Sequence, residues 1–127
     1  SSDYFPTISA IAALPLAKRP YDGINILPIL KGKQSQRNHS IGFRFGKDRT
    51  LVDDRYKLVH NAGGLSRRRS DNGTTPVREF ELYDLDADPS ETQNIATDSP
   101  AVTARMKGEL LAFIKSCKAS AEGADYR

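Results

Sequence analysis

The chain has 127 residues, 38% hydrophobic and 28% charged, with a formal net charge of +3. That is one ordinary domain's worth of sequence, able to bury a modest core but leaving little room for a separate catalytic domain. The charge is too small to demand a nucleic-acid partner, and no apolar run reaches the roughly 18 residues of a membrane span, so neither partner is expected.

The chain begins Ser1-Ser2-Asp3, with no initiator Met and no signal peptide, as a piece cut from something longer would. Residues 4–14, YFPTISAIAAL, predict a helix: Pro6 suits its first turn, and Pro15 ends it. Ile8, Ile11 and Leu14 make an apolar stripe that needs a partner surface. Residues 15–36 read as a connector, punctuated by Pro20, Asp22-Gly23, Pro28 and Gly32. Its INILPIL segment is apolar enough to be pinned to a surface.

Strand signals follow. Over Ser40–Phe45, Ile41, Phe43 and Phe45 alternate with Gly42 and Arg44. After a Gly46-Lys47-Asp48 turn comes Thr50–Val52, then turn chemistry at Asp53-Asp54. Arg55–His60 is the next strand, with Tyr56, Leu58 and His60 on one face. Residues 61–76 form a polar, Gly-rich loop carrying Arg67, Arg68 and Arg69, and Arg78–Leu85 is the last strand. Ser99–Ser116 is the clearest helix, capped by Ser99 with Pro100 in the first turn. Val102, Met106, Leu110, Phe113, Ile114 and Cys117 lie on its buried face, and Gly108 weakens it by about 1 kcal/mol relative to Ala. The expected class is α+β: a small antiparallel sheet of about four strands packed against a long C-terminal helix, with the first helix outside that unit.

Glu81–Asn94, ELYDLDADPSETQN, invites a calcium reading, with Asp84, Asp86 and Asp88 at alternate positions. An EF-hand loop beginning at Asp84 would need Gly at its sixth position and a bidentate Glu at its twelfth. Those positions hold Pro89 and Ile95, so calcium is rejected. Asp88-Pro89-Ser90-Glu91 instead has the form of a capping box, which predicts a strand running into one tight helical turn.

Chemistry-bearing residues are sparse. Cys117, the one cysteine, excludes an internal disulfide framework and, on a buried helix face, should be inert. His60 shares a strand face with Tyr56 and Leu58 and reads as a packing residue. Arg37 and His39, beside Asn38 at the start of a strand, are candidate contacts to a polar or anionic substrate. Arg67, Arg68 and Arg69 are candidate ligands for a sulfate, phosphate or polysaccharide anion. No Gly-rich phosphate loop and no Cys/His metal spacing is present, so no catalytic or metal-binding residue is assigned.

Several ordered pieces resemble the C-terminal portion of an arylsulfatase-type, formylglycine-dependent sulfatase of the alkaline-phosphatase-like superfamily. Ser2-Asp3-Tyr4-Phe5-Pro6-Thr7 is similar to the SD-x-x-PT segment that opens a helix in these enzymes. Tyr21-Asp22-Gly23 followed by Leu27–Gly32 resembles their DG-x-S/N-L-x-P-x-L-x-G stretch. Arg37 before a Phe-bearing strand fits. Arg55-Tyr56-Lys57-Leu58-Val59 resembles the G-R-Y-K-L-I strand, with Asp54 where the family often has Gly. Glu81–Leu85, Asp88–Glu91 and Asn94-Ile95-Ala96 resemble ELYDL-x-x-DP-x-E-x-x-N-L-A. The final helix and Gly123–Tyr126 fit the usual ending. Each piece is weak alone, and their order is specific.

The resemblance implies an enzyme hydrolysing sulfate esters through a formylglycine made in a C/S-x-P-x-R motif, with a divalent cation, usually calcium, held by a larger N-terminal α/β domain. This chain has no such motif, so the fragment alone is expected to be inactive and to hold no cofactor. Residues 1–36 would be a helix and connector from the edge of the large domain, and 37–127 the C-terminal subdomain bordering the substrate cleft. The implied partners are the rest of the sulfatase chain and a sulfated sugar or aryl sulfate. The implied location is secreted, periplasmic or lysosomal. Two other readings stand beside this one: an anion- or sulfated-polysaccharide-binding module through Arg67–Arg69, and an oligomerisation unit through Ile8, Ile11 and INILPIL.

Overall fold

The structure is a computed structural model that describes residues 2–61 and 79–126. Its order is α1 (Tyr4–Ile11), α2 (Leu27–Leu30), β1 (Ile41–Phe45), β2 (Asp48–Val52), β3 (Tyr56–Asn61), β4 (Phe80–Asp84) and α3 (Pro100–Ala121), closed by a short 3₁₀ turn at Ala124–Tyr126. The four strands form one antiparallel meander in the order β1-β2-β3-β4. This is the expected α+β architecture. None of the described helices is long and apolar enough to cross a membrane.

The register explains the core. Gly42 lies opposite Leu51, Leu51 opposite Leu58, and Leu58 opposite Leu82, a single row across all four strands. Met106 and Leu110 of α3 join the three leucines to form the buried cluster. Val102, Phe113 and Ile114 pack against it, as the helical spacing predicts, while Cys117 is half-buried beyond its edge. Gly42 completes the row by having no side chain. A Cβ there would come within 2.5 Å of the Phe113 ring, so the ring occupies the site that a residue's side chain would fill. The opposite face of β1 carries Phe43 and Phe45, 54% and 81% exposed.

β1 and β2 are joined by a two-residue loop, with Gly46 at φ +57 where a tight hairpin demands a positive φ. Asp48 is therefore the first residue of β2 rather than part of the turn. β4's outer side is covered. Asn94 Oδ1 accepts from the Leu82 amide at 3.1 Å, and the Ile95 amide donates to the Leu82 carbonyl at 2.8 Å.

α1 stops earlier than the pattern predicts. Ala13 turns to φ +53, the Leu14 amide reaches the Ser9 carbonyl at 2.9 Å, and the Ala13 amide points at Ala10. That is a Schellman closure without glycine. Pro15 explains it, because a proline disfavours helical geometry in the residue before it. α1 also buries the side that hydropathy would leave out: Pro6, Thr7 and Ser9 are buried, whereas Ile8 and Ile11 are 62% and 64% exposed. The connector is pinned by polar groups. The Ile24 amide donates to Asp3 Oδ1 at 2.8 Å, and the Ile26 amide to Thr7 Oγ1 at 3.1 Å.

Candidate functional site

Two of the polar residues singled out in the sequence, Arg37 and His39, lie together where the connector joins the sheet. Arg37 stands just before β1, and its Nη2 donates to Asp3 Oδ1 at 2.6 Å. Its Nε reaches Asp3 Oδ2 at 3.4 Å, and its Nη1 donates to the His39 carbonyl. The two side chains are only 12% and 11% exposed. A largely buried guanidinium and carboxylate hold each other because either alone would be strongly disfavoured there. The hydrogen bond from Arg37 is the largest influence on Asp3 and, with the Ile24 amide, holds its carboxyl below the usual range against the opposing effect of burial. Arg37 is thus committed within the fold, and His39 lies exposed beside it on the same short loop.

Gly23 lets the connector reach this point. A Cβ there would sit 2.0 Å from the Ser2 carbonyl oxygen, so only a residue without a side chain allows this close passage against the start of α1. An open recess of about 290 Å³ lies alongside, between Ser2, residues 19–23 and Asp125. Arg19 lines it, with its guanidinium 5.4 Å from the Tyr21 ring, and Phe5 stacks on Tyr21 at 5.6 Å.

Asp53 and Asp54, adjacent at the β2–β3 turn, divide the anchoring. Asp54 accepts from the amides of Arg37 at 2.6 Å and Asn38 at 2.8 Å, and so holds the loop in which Asn38 takes φ +54. This accounts for an acidic residue at the position where the sulfatase pattern often has glycine. Asp53 Oδ1 accepts from the Arg55 and Tyr56 amides, and Oδ2 receives Arg105 of α3 at 2.6 Å. Burial is the largest single influence on Asp53 and pushes its carboxyl up. The Tyr56 amide, Arg105 and the Arg55 amide together outweigh it, and the carboxyl lies below its ordinary value. Glu109 accepts from Arg105 at 2.9 Å and from Ser40 at 2.6 Å, which returns the network to the start of β1.

His60 stacks on Phe80 at 4.7 Å, in keeping with a packing role, and its Nδ1 is buried without a hydrogen-bond partner among the described residues. Lys107 caps the Phe80 ring at 4.3 Å. Arg67, Arg68 and Arg69 lie outside the described residues.

The acidic stretch is structural, but not as a capping box. Asp84 takes Arg55, 2.7 Å from Nη2. Asp88 accepts from the amides of Thr92 at 2.6 Å and Gln93 at 2.7 Å, while Glu91, at φ +55, sends its carboxylate to Lys57 at 2.6 Å. The expected helical turn does not form. An ion pair to β3 captures Glu91, and a positive φ there is incompatible with a helix start. Among the described residues no three His, Cys, Asp or Glu side chains converge as a metal site would require. The described residues therefore offer no calcium centre, and the sequence has no C/S-x-P-x-R motif from which a formylglycine could be made.

No family model matches the chain, and no curated protein does. Solved structures do. A 2-O GAG sulfatase matches with a TM-score of 0.61 and 22% identity, covering 95% of this chain and 26% of its own. A candidate sulfatase from Bacteroides thetaiotaomicron VPI-5482 matches with a TM-score of 0.61 and 23% identity, covering 95% and 25%. A Bacteroides thetaiotaomicron 6S-sulf protein of glycosaminoglycan metabolism matches with a TM-score of 0.61 and 26% identity, covering 92% and 24%. By its fold and by the order of its motifs, this chain is similar to part of a sulfatase, spanning about a quarter of the length of the solved sulfatases it matches.

Proposed function

We propose that this chain is the C-terminal part of a sulfatase that hydrolyses sulfate esters, with residues 37–127 as its C-terminal subdomain and residues 1–36 as a helix and connector from the large domain. The observation that supports this most is the match to sulfatases over nearly the whole chain, joined to motifs that follow one another in the family's order. The nucleophile and the calcium would come from the rest of the protein, in an N-terminal α/β domain against which the apolar stripe of α1 would rest. A cation there would stabilise charge on the sulfate oxygens and help activate the formylglycine. The sulfate ester would belong to a glycosaminoglycan-type sugar, as the names of the similar structures suggest, and the working location would be secreted or periplasmic. His39 borders the cleft in this reading. Arg37 acts through it, as the positioning residue that fixes the loop by its bonds to Asp3 and the His39 carbonyl.

The isolated chain is expected to show no turnover of an aryl sulfate, and the gene upstream of Ser1 is expected to encode a C/S-x-P-x-R motif. Turnover that copurifies with the 127-residue chain alone, or an upstream sequence without that motif, would overturn the reading.

A further inference from the structure

The two outer edges of the sheet are treated differently. β4's edge is closed by Asn94 and Ile95. Along β1, Ile41–Phe45, no hydrogen bond from any described residue other than those of β2 reaches the backbone. An uncovered edge presents a row of backbone donors and acceptors to any extended chain. The usual guards are missing too. β1 contains no proline and no lysine, its pairing with β2 runs without a bulge, and Arg44 is its one charge.

We propose that β1 pairs with itself: two copies of this chain join antiparallel through Ile41–Phe45 about a twofold axis at Phe43. The two four-stranded sheets then become one continuous sheet. The side chains select this register. Centred on Phe43, the pairing sets Phe43 against Phe43 and Ile41 against Phe45, which covers the two aromatic rings the single chain leaves 54% and 81% exposed. On the other face Arg44 falls opposite Gly42 of the second copy. Gly42 has no side chain, and the Phe113 ring fills its place. The guanidinium therefore arrives over an aromatic face, a favourable cation–π arrangement. Moving the axis by one residue to Arg44 would oppose two arginines and turn that gain into repulsion. The occupant inferred is a second copy because the strand's own sequence supplies the complement to each of its positions. The inference stands independently of the sulfatase reading.

Sedimentation of the 127-residue chain at micromolar concentration tests it. A species of twice the chain mass is expected, and Phe43→Lys, which places two charges face to face at the axis, is expected to return it to monomer. Ile8→Lys with Ile11→Lys, which charges the exposed face of α1, should leave the dimer intact. A monomeric wild type, or a dimer lost through α1 and kept in Phe43→Lys, overturns the proposal. The register is read separately in a Cys117→Ser background, so that it does not depend on Phe43→Lys folding. Phe43→Cys should crosslink efficiently with a short bismaleimide. Ile41→Cys should not, since its two copies lie about 13 Å apart at the rise of an antiparallel strand. Equal crosslinking at both positions refutes the twofold at Phe43.

Discussion

At the scale of single residues, three aspartates decide how the pieces are joined. Asp3 holds Arg37, Asp54 holds the amides that follow, and Asp53 holds Arg105. Arg37→Ala leaves the Asp3 carboxylate mostly buried and unpaired, and should destabilise the chain by about 3 kcal/mol, read from the denaturant midpoint. The same pair sets a pH dependence. Asp3, Asp53, Asp84 and Asp88 all have carboxyls held below the ordinary value in the folded chain. Groups of this kind contribute stability that is complete above the unfolded carboxylate value of about 3.9 and is lost as pH falls through the lower folded values. The thermal midpoint should therefore hold between neutral pH and about pH 5 and drop below pH 4. Asp3→Asn should make that acid loss shallower, and an unchanged acid limb would remove Asp3 from the account. Asp54→Gly, which restores the residue common in the sulfatase pattern, should speed amide exchange at Arg37 and Asn38 and leave Leu58 protected.

At the scale of elements, the sheet and α3 meet through one row of leucines and one deliberate gap. Leu58, fully buried at the centre of the row, should cost about 3 kcal/mol when truncated to Ala. Gly42→Ala tests the gap. The new methyl would press on the Phe113 ring at 2.5 Å and should cost about 1–3 kcal/mol, an overpacking effect. Gly42→Ala combined with Phe113→Leu should recover part of that loss. If the two changes simply add, Phe113 does not occupy the position described. The pairing also shows why hydrophobicity alone misleads on β1. Its larger apolar residues face away from the core, because the helix brings its own aromatic to the other side.

At the scale of the whole chain, two of the places where apolar side chains stay exposed are the outer face of α1 with Leu14 and the open face of β1. Neither supports the fold of this chain by itself. Replacing Ile8 and Ile11 with Glu should change stability, read from denaturant unfolding, by no more than about 0.5 kcal/mol per site while raising solubility. A larger loss would mean that α1 is packed within the chain rather than turned outward for the larger protein proposed above.

Much of this organisation was legible in the residues. Side-chain alternation located β1 and β3, the turn residues between apolar pieces located β2 and β4, and the 3.6-residue spacing located α3. These features are local, set by side-chain periodicity and backbone geometry within one element. The tertiary structure decided the rest, because it turns on which distant groups meet. Glu91 reads as a cap until Lys57 takes it, and Arg37 reads as a free donor until Asp3, from the other end of the connector, buries it. Gly42 reads as a weak point in a strand until Phe113 arrives from α3. A sequence displays the charge and volume of each residue, but the partner that satisfies a buried charge or fills a gap is fixed only when the chain folds back on itself.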